Sequence, residues 1–213
     1  MGKITMKTFK SKEEWLDARN GKIGGSDAAC ILGLNPWKTN VDLWREKKGL
    51  IHLKDISDNP SVKFGIEAEE YMREMFKLDY PEYHVEYIDN NMWINSDYPD
   101  LHASLDGWIN YNGQFGIFEN KTANYIYRSE WNNKIPNCYY CQILHYMLVC
   151  NADFAILKVR LTDNTDKNDV KALIKHYKID RIENLESIKY LKEKELEFVE
   201  SLKNDNPPAL ILE

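Results

Sequence analysis

The chain has 213 residues, 43% of them hydrophobic and 29% charged, with a formal net charge of −6. This length and composition exclude an intrinsically disordered chain and predict a single domain over residues 1–213, and the negative charge argues against non-specific coating of nucleic acid. No apolar run approaches the roughly 20 residues that cross a bilayer, and no signal-peptide core follows Met1, so we expect a cytoplasmic protein that makes no use of a membrane.

Four helices are predicted in the first part of the chain from capping residues, glycines and apolar spacing. Their ranges are 11–21, 24–33, 39–49 and 61–78, with a polar linker over residues 50–60 before the last. Arg19 lies in the last turn of the first helix. Ser26 is the candidate N-cap of the second helix, whose first backbone N–H groups are suited to receive an anion.

The fourth helix carries one carboxylate that does not fit its hydrophobic pattern. At about 100° per residue, Glu69 falls between the directions of Val62 and Phe76, while the other glutamates of the helix cluster on a polar face. A buried carboxylate is costly unless it is paired or binds a metal. Glu69 is therefore either an edge position that reaches solvent or a functional residue, and the helix pattern favours neither.

Short β-type segments begin at residue 83 with YHVEYID and MWIN, and continue in a hairpin with the sequence LHASLDGWINYNGQFGIFENKTA. Asn112-Gly113 is a strong signal for a two-residue type I′ turn, and strand-like residues flank it on both sides. This turn fixes a register in which Asp106 lies directly opposite Glu119. Two like charges so placed destabilise a sheet unless a cation lies between them, and Lys121 shares the face of Glu119.

The rest of the chain predicts a buried helix, two strands and a C-terminal helix. The buried helix, NCYYCQILHYMLVC, follows a loop with Trp131 and Pro136 and stacks Gln142 and Tyr146 on one face. The strands cover residues 152–161 and 171–180, and the last helix covers residues 182–203. The four cysteines fit buried reduced thiols best, although the spacing of two of them keeps a weak zinc or iron–sulfur alternative.

Asp106, Glu119 and Lys121 form the candidate chemical site. Facing carboxylates, with Glu69 as a third, suit a hard divalent cation with oxygen ligands, typically Mg²⁺. Such a metal polarises a phosphate oxygen and activates a water for in-line attack, and Lys121 would orient that water or neutralise developing charge. The alternative is a solvated ion-pair cluster, which such residues form far more often. The apolar strand around Glu119 argues against that alternative.

At these residues the sequence resembles a known family. Asp106 followed by Glu119-Asn120-Lys121 is similar to the core of the PD-(D/E)xK nuclease superfamily, and the flanking segments resemble YqaJ-type viral recombinases, which include the lambda-type alkaline exonucleases. The segments that carry the resemblance are KIGGSDAACILGLNPW, FGIEAEEYMREMF and IPNCYYCQILHYMLV. The resemblance extends from about Arg19 to the C-terminal Pro-Pro, and four motifs in this order are specific.

The resemblance implies a restriction-endonuclease-like α/β core with a mixed central β-sheet flanked by α-helices. The residues that it assigns to the metal are Asp106, Glu119, Asn120 through its carbonyl, and Glu69. The residues that it assigns to catalysis are Asp106, Glu119, Lys121, Glu69, Gln142 and Tyr146. Tyr146 also has a plain core interpretation. Arg19 and Ser26 resemble a pocket for a DNA 5′-phosphate, although each also fits a local role, as a helix-dipole partner and as an N-cap.

The implied activity is that of a Mg²⁺-dependent exonuclease, with Mn²⁺ as an alternative metal. It would resect double-stranded DNA ends from 5′ to 3′ and leave 3′ single strands for a single-strand annealing protein. A trimeric ring fits the resemblance, as does the host cytoplasm if the protein is phage-encoded. Three alternatives remain open: an endonuclease of the same superfamily, an iron–sulfur nuclease, and a nuclease-like fold that only binds DNA ends or other proteins.

Overall fold

A computed structural model of the protein describes residues 2–51, 56, 58–163 and 171–211. The helices are α1 (Lys12–Arg19), α2 (Gly25–Ile31), α3 (Asn40–Lys47), α4 (Pro60–Asp79), α5 (Asn137–Cys150) and α6 (Leu185–Lys203). The strands are β1 (Ile4–Thr8), β2 (Val85–Glu86), β3 (Asn91–Asn95), β4 (Gly107–Tyr111), β5 (Gln114–Asn124), β6 (Phe154–Asp163) and β7 (Lys171–Asp180). Among these described helices, none has both the length and the apolar composition that crossing a bilayer requires.

The strands form one five-stranded sheet and one two-stranded sheet. The larger sheet has the order β2-β4-β5-β6-β7, in which β5 and β6 run parallel and the other neighbours antiparallel. Successive residues of a strand face opposite sides, so Ile117 of β5 joins the core that contains α5, while Phe118 joins a second core with Phe76 of α4. The sheet therefore lies between helices, and the predicted mixed α/β class is confirmed.

The hairpin has the register that the sequence predicts. Asn112 and Gly113 both have positive φ angles, 51° and 79°, as a type I′ turn requires. The last pair of the hairpin away from this turn is Gly107 opposite Phe118. Asp106 precedes β4 by one residue, so the same register brings it beside Glu119.

One strand of the structure is absent from the sequence prediction, and two others are shorter than predicted. β1 was not predicted, because it forms its sheet with β3, more than 80 residues later. The strand predicted over residues 83–89 shortens to β2, which follows a left-handed residue, His84, with a φ of 39°. The first strand of the predicted hairpin, which starts at residue 101, shortens to β4, which starts at Gly107. The other predicted helices and strands agree with the structure to within a few residues, and the predicted linker over residues 50–60 lies partly outside the described residues.

Candidate active site

Glu119 lies at the centre of the candidate site and is only 2% exposed. It shares a face of β5 with Lys121, whose Nζ lies 2.7 Å from Glu119 Oε1. Gln142 of α5 donates from Nε2 to the same oxygen at 2.8 Å. Oε1 therefore receives two donors, whereas Oε2 is buried and has no hydrogen-bond partner in the described part of the chain.

Helix α5 contributes two linked polar side chains to the site, Gln142 and Tyr146. Gln142 and Tyr146 are four residues apart and so lie on one face of the helix. The Gln142 Nε2 donates to the Tyr146 hydroxyl oxygen at 2.8 Å as well as to Glu119. Burial raises the pKa of Tyr146, so its hydroxyl stays protonated. Tyr146 thus has a polar contact with the site in addition to its core packing.

Asp106 reaches the site from the end of the hairpin. Its Oδ2 accepts the backbone N–H of Asn120 at 2.9 Å. The N–H and C=O groups of a strand residue point to the same strand edge. The Asn120 carbonyl therefore also faces Asp106, beyond the last paired residue of β4. The Asp106 side chain and the Asn120 carbonyl thus lie at the same edge of β5.

The side chain of Asn120 faces the side of the sheet where α4 packs, opposite to the side that Glu119 and Lys121 face. Its Nδ2 lies 3.4 Å from the carbonyl oxygen of Glu69, and its Oδ1 is buried without a partner among the described residues. This contact links β5 to α4 at the position of Glu69. The family resemblance assigns Asn120 a backbone role only. The available signal for the link was an amide on the face of β5 that also carries Phe118.

Three carboxyl groups lie close enough to perturb one another's ionisation. Burial, followed by the charge of Asp106, raises the pKa of Glu69 to about 7 and that of Glu119 to about 8. Burial also raises the pKa of Asp106. Burial lowers the pKa of Lys121, but the charges of Glu119 and Asp106 outweigh it and raise that pKa overall. The charges of Lys121 and Arg73 lower the pKa of Glu69 and Asp106 in part. Three acidic groups thus face two cations, and this imbalance favours a further cation.

The donor groups of the site suit a hard divalent cation, because they are carboxylate and carbonyl oxygens. The buried Oε2 of Glu119 has no hydrogen-bond partner among the described residues, and a cation would satisfy this oxygen. Across the residues that the structure describes, no three His, Cys, Asp or Glu side chains are already gathered as a metal site. The carboxylate oxygens instead accept hydrogen bonds from Lys121, Gln142 and the Asn120 N–H, so metal binding would need some of these contacts to change.

The N-cap predicted for α2 at Ser26 was wrong. Gly24 is the N-cap, and its backbone N–H donates to Asp27 Oδ2 at 3.0 Å. Asp27 is held in turn by Lys47, whose Nζ lies 2.7 Å from the same oxygen. Because Asp27 satisfies the start of the helix, no capping hydroxyl is needed at Ser26, which is exposed.

Gly25 brings the start of α2 against the α5 side chains of the site. A Cβ at this position would lie 2.4 Å from Tyr146 Cε1 and 2.9 Å from Gln142 Cγ. Because this ring is buried, we expect Gly25→Ala to lower the free energy of unfolding by roughly 1–3 kcal/mol in urea denaturation. Gly65→Ala is the control, since its Cβ would meet only Thr122 Oγ1 at 3.4 Å and alanine favours a helix. Equal losses in both variants would contradict the steric explanation.

Arg19 lies at the end of α1 and is half-buried. Its guanidinium carbon is 4.0 Å from the centre of the Trp15 ring, and no carboxylate of the described residues forms an ion pair with it. Its charge acts on His102, because burial, followed by Arg19, lowers the pKa of His102 to about 2. Arg19 is therefore a cation with donors available for a ligand, and Ser26 is an exposed hydroxyl on the neighbouring helix.

His102, His145 and three of the four cysteines are buried outside the candidate site. His145 lies 2.7 Å from Glu195 and 2.8 Å from the carbonyl of His102, measured from its two ring nitrogens. All four cysteines are free thiols, and three of them are buried. Burial raises the pKa of Cys30 to about 11 and that of Cys141 to about 12. These thiols are thus protonated, as the favoured prediction of reduced structural cysteines requires.

Comparison with solved structures defines the class of the fold. The crystal structure of an alkaline exonuclease, LHK-Exo from Laribacter hongkongensis, is similar with a TM-score of 0.67 and 18% identity, over 91% of this chain and 94% of that chain. Its complex with dAMP gives the same values. The protein is thus a mixed α/β protein with the fold of that enzyme.

Sequence comparison then identifies the family. Residues 14–153 match the YqaJ-like viral recombinase domain, and the chain belongs to this family. It is 32% identical over 147 residues to the uncharacterized protein YqaJ of Bacillus subtilis (strain 168), a match that covers 68% of this chain and 44% of that protein. The chain therefore spans less than half the length of this curated relative.

Proposed function

We propose that the protein is a Mg²⁺-dependent deoxyribonuclease that digests double-stranded DNA ends from 5′ to 3′. The observation that carries the proposal is the buried Glu119 carboxylate. One of its oxygens binds Lys121 and Gln142, and the other has no partner in the part of the chain that the structure describes. A surface ion-pair cluster does not account for a carboxylate that is 2% exposed. The family and the fold shared with an alkaline exonuclease support the same activity.

The metal-binding part of the proposal rests on oxygen ligands from three elements. A bound Mg²⁺, or Mn²⁺, polarises a phosphate oxygen and lowers the pKa of a bound water. The Asp106 carboxylate and the Asn120 carbonyl converge at the end of β4. Glu69 approaches from α4 and acts directly or through a water. The proposed ligands are Asp106, Glu119, the Asn120 carbonyl and Glu69.

Lys121 and Gln142 have separate roles in this proposal. Because the carboxylates raise its pKa, Lys121 stays protonated and acts as a donor rather than as a base. Its ammonium group would stabilise negative charge that develops on the phosphate in the transition state. Gln142 would fix the Glu119 carboxylate by its amide, and Tyr146 would fix Gln142 through the contact between the amide and its hydroxyl.

Arg19 and Ser26 are the proposed pocket for a DNA 5′-phosphate. A guanidinium binds a terminal phosphate through charge-assisted hydrogen bonds, and a hydroxyl adds a further donor. We expect the protein to digest a linear duplex with a 5′-phosphate faster than one with a 5′-hydroxyl, only with Mg²⁺, and Arg19→Ala to lose this preference. Arg45→Ala is the matched control, because Arg45 also lies in the last turn of a short helix.

The outcomes of this assay separate the alternatives. Equal rates on both ends would remove the phosphate pocket from the proposal. Digestion of a circular duplex would favour an endonuclease, and a brown protein would favour an iron–sulfur nuclease. DNA binding without cleavage in Mg²⁺ or Mn²⁺ would favour a module that only binds DNA ends.

The products and the assembly complete the proposal. Resection from 5′ to 3′ leaves a 3′ single strand, which a single-strand annealing protein would bind. A trimeric ring would confine basic side chains to a central channel, which reconciles DNA binding with the net charge of −6. The expected location is the cytoplasm, or the host cytoplasm for a phage protein.

A further inference from the structure

Arg73 is a buried cation on α4 that the proposed mechanism does not use. Its side chain is 7% exposed, and it lies one helical turn after Glu69. Its Nη1 donates to the backbone carbonyl of Asp106 at 2.9 Å, and its Cζ lies 3.7 Å from the centre of the Tyr87 ring. The ion pair with exposed Glu74, at 4.0 Å, is long and weak. Arg73 is therefore held mainly by a ring and a carbonyl.

Among the described strands, none pairs with Asp106, whose carbonyl Arg73 binds. β2 pairs with β4 only at Trp108 and Ile109, and Asp106 lies beyond that pairing. The guanidinium supplies the N–H donor that a longer β2 would have supplied. On its other side, Asp106 is held by the contact between its Oδ2 and the Asn120 N–H at 2.9 Å. Both the backbone and the side chain of Asp106 are thus fixed.

We propose that Arg73 is a positioning residue for the metal site, acting by holding the backbone of Asp106. The inference rests on the proposed function, because Asp106 is one of its metal ligands. Two effects of Arg73 oppose each other: its charge repels a cation, and its hydrogen bond orders a ligand of that cation. If positioning dominates, removal of Arg73 weakens metal binding. If charge dominates, removal strengthens it.

The test is the affinity for Mn²⁺, measured by isothermal titration calorimetry at one fixed alkaline pH. We expect Arg73→Met to weaken Mn²⁺ binding about tenfold, a typical effect of losing a group that orients a metal ligand. Arg73→Lys, which keeps a donor on a long side chain, should retain most of the affinity. Arg160→Met is the matched control, because Arg160 also faces an aromatic ring, Phe64 at 5.5 Å, but bonds Thr162 instead. Its affinity should equal that of the wild type.

Kinetics give a second readout that a general loss of stability would not reproduce. In Arg73→Met, the metal concentration for half-maximal cleavage should rise about tenfold, while KM for DNA stays at the wild-type value. Unchanged or tighter Mn²⁺ binding by Arg73→Met would overturn the inference.

A folding failure also has a defined consequence. If Arg73→Met shows no cooperative thermal transition, Tyr87→Leu replaces it, since this variant keeps Arg73 but removes the ring beside its guanidinium. Wild-type Mn²⁺ affinity in Tyr87→Leu then overturns the inference, and weaker binding supports it. If the wild type itself neither binds Mn²⁺ nor cleaves DNA, the proposed function fails and this inference with it. If the wild type does both, the variants test Arg73 alone.

Discussion

Lys121→Ala is expected to reduce kcat for digestion of a 5′-phosphorylated duplex by at least about 10²–10³-fold, with DNA binding retained. The ammonium lies 2.7 Å from Glu119 Oε1, and the carboxylates keep it protonated. Its charge matters most when negative charge develops on the phosphate, so its loss should lower kcat far more than it raises KM. Single-turnover digestion measures the rate of cleavage, and a gel-shift assay on the same duplex measures DNA binding.

Lys175→Ala is the control for this variant. Lys175 lies in the same row of the sheet as Lys121, two strands away through Val159, and it donates to the carbonyl of Trp131 at 2.8 Å. We expect wild-type cleavage from this variant. Magnesium-dependent digestion that persists in Lys121→Ala would remove Lys121 from the mechanism. Loss of DNA binding in Lys121→Ala would instead indicate that Lys121 binds DNA before cleavage rather than stabilising the transition state.

The parts of the site that the sequence predicted depend on short-range geometry. A two-residue turn at Asn112-Gly113 fixes the register of its strands, and this register alone brings Asp106 beside Glu119. Strand alternation puts Lys121 on the same face, and helical spacing puts Gln142 over Tyr146. Each of these relations spans fewer than fifteen residues. Each could therefore be counted from the sequence without knowledge of the tertiary structure.

The parts that the sequence did not predict depend on long-range contacts. Arg73 meets the carbonyl of Asp106 across 33 residues, and nothing in the helix pattern of α4 indicates that contact. The start of α2 is another case, because Ser26 and Gly24 are both acceptable N-caps. The choice follows from Asp27, which Lys47 of α3 holds in place. Rules for helix caps and strand register use only neighbouring residues, so they do not predict contacts with residues far away in the sequence.

The metal-free protein is expected to lose stability, relative to Glu119→Gln, as the pH rises from about 4.5 to about 8. Burial first, and then the charge of Asp106, raises the pKa of Glu119 from an ordinary 4.5 to about 8. Below this window the carboxyl is protonated in both the folded and the unfolded chain. Within it the unfolded chain releases the proton and the folded chain keeps it, so each pH unit lowers the free energy of unfolding by about 1.4 kcal/mol. Above this window the carboxyl is ionised in both the folded and the unfolded chain, and the loss of stability does not increase further.

Glu119→Gln isolates this effect because glutamine stays neutral at every pH. Other titrating groups, including the buried pair of His145 and Glu195, are present in both proteins and largely cancel in the difference. Urea denaturation of both proteins between pH 5 and pH 9 should show the variant gaining on the wild type by several kcal/mol, on the order of the full window. If the free energies of unfolding of the two proteins changed with pH in parallel, Glu119 would ionise normally in the folded protein. Added Mg²⁺ should restore the stability of the wild type most strongly at the alkaline end, where the carboxylates are ionised. It should stabilise Glu119→Gln much less, because this variant lacks the charged carboxylate of Glu119.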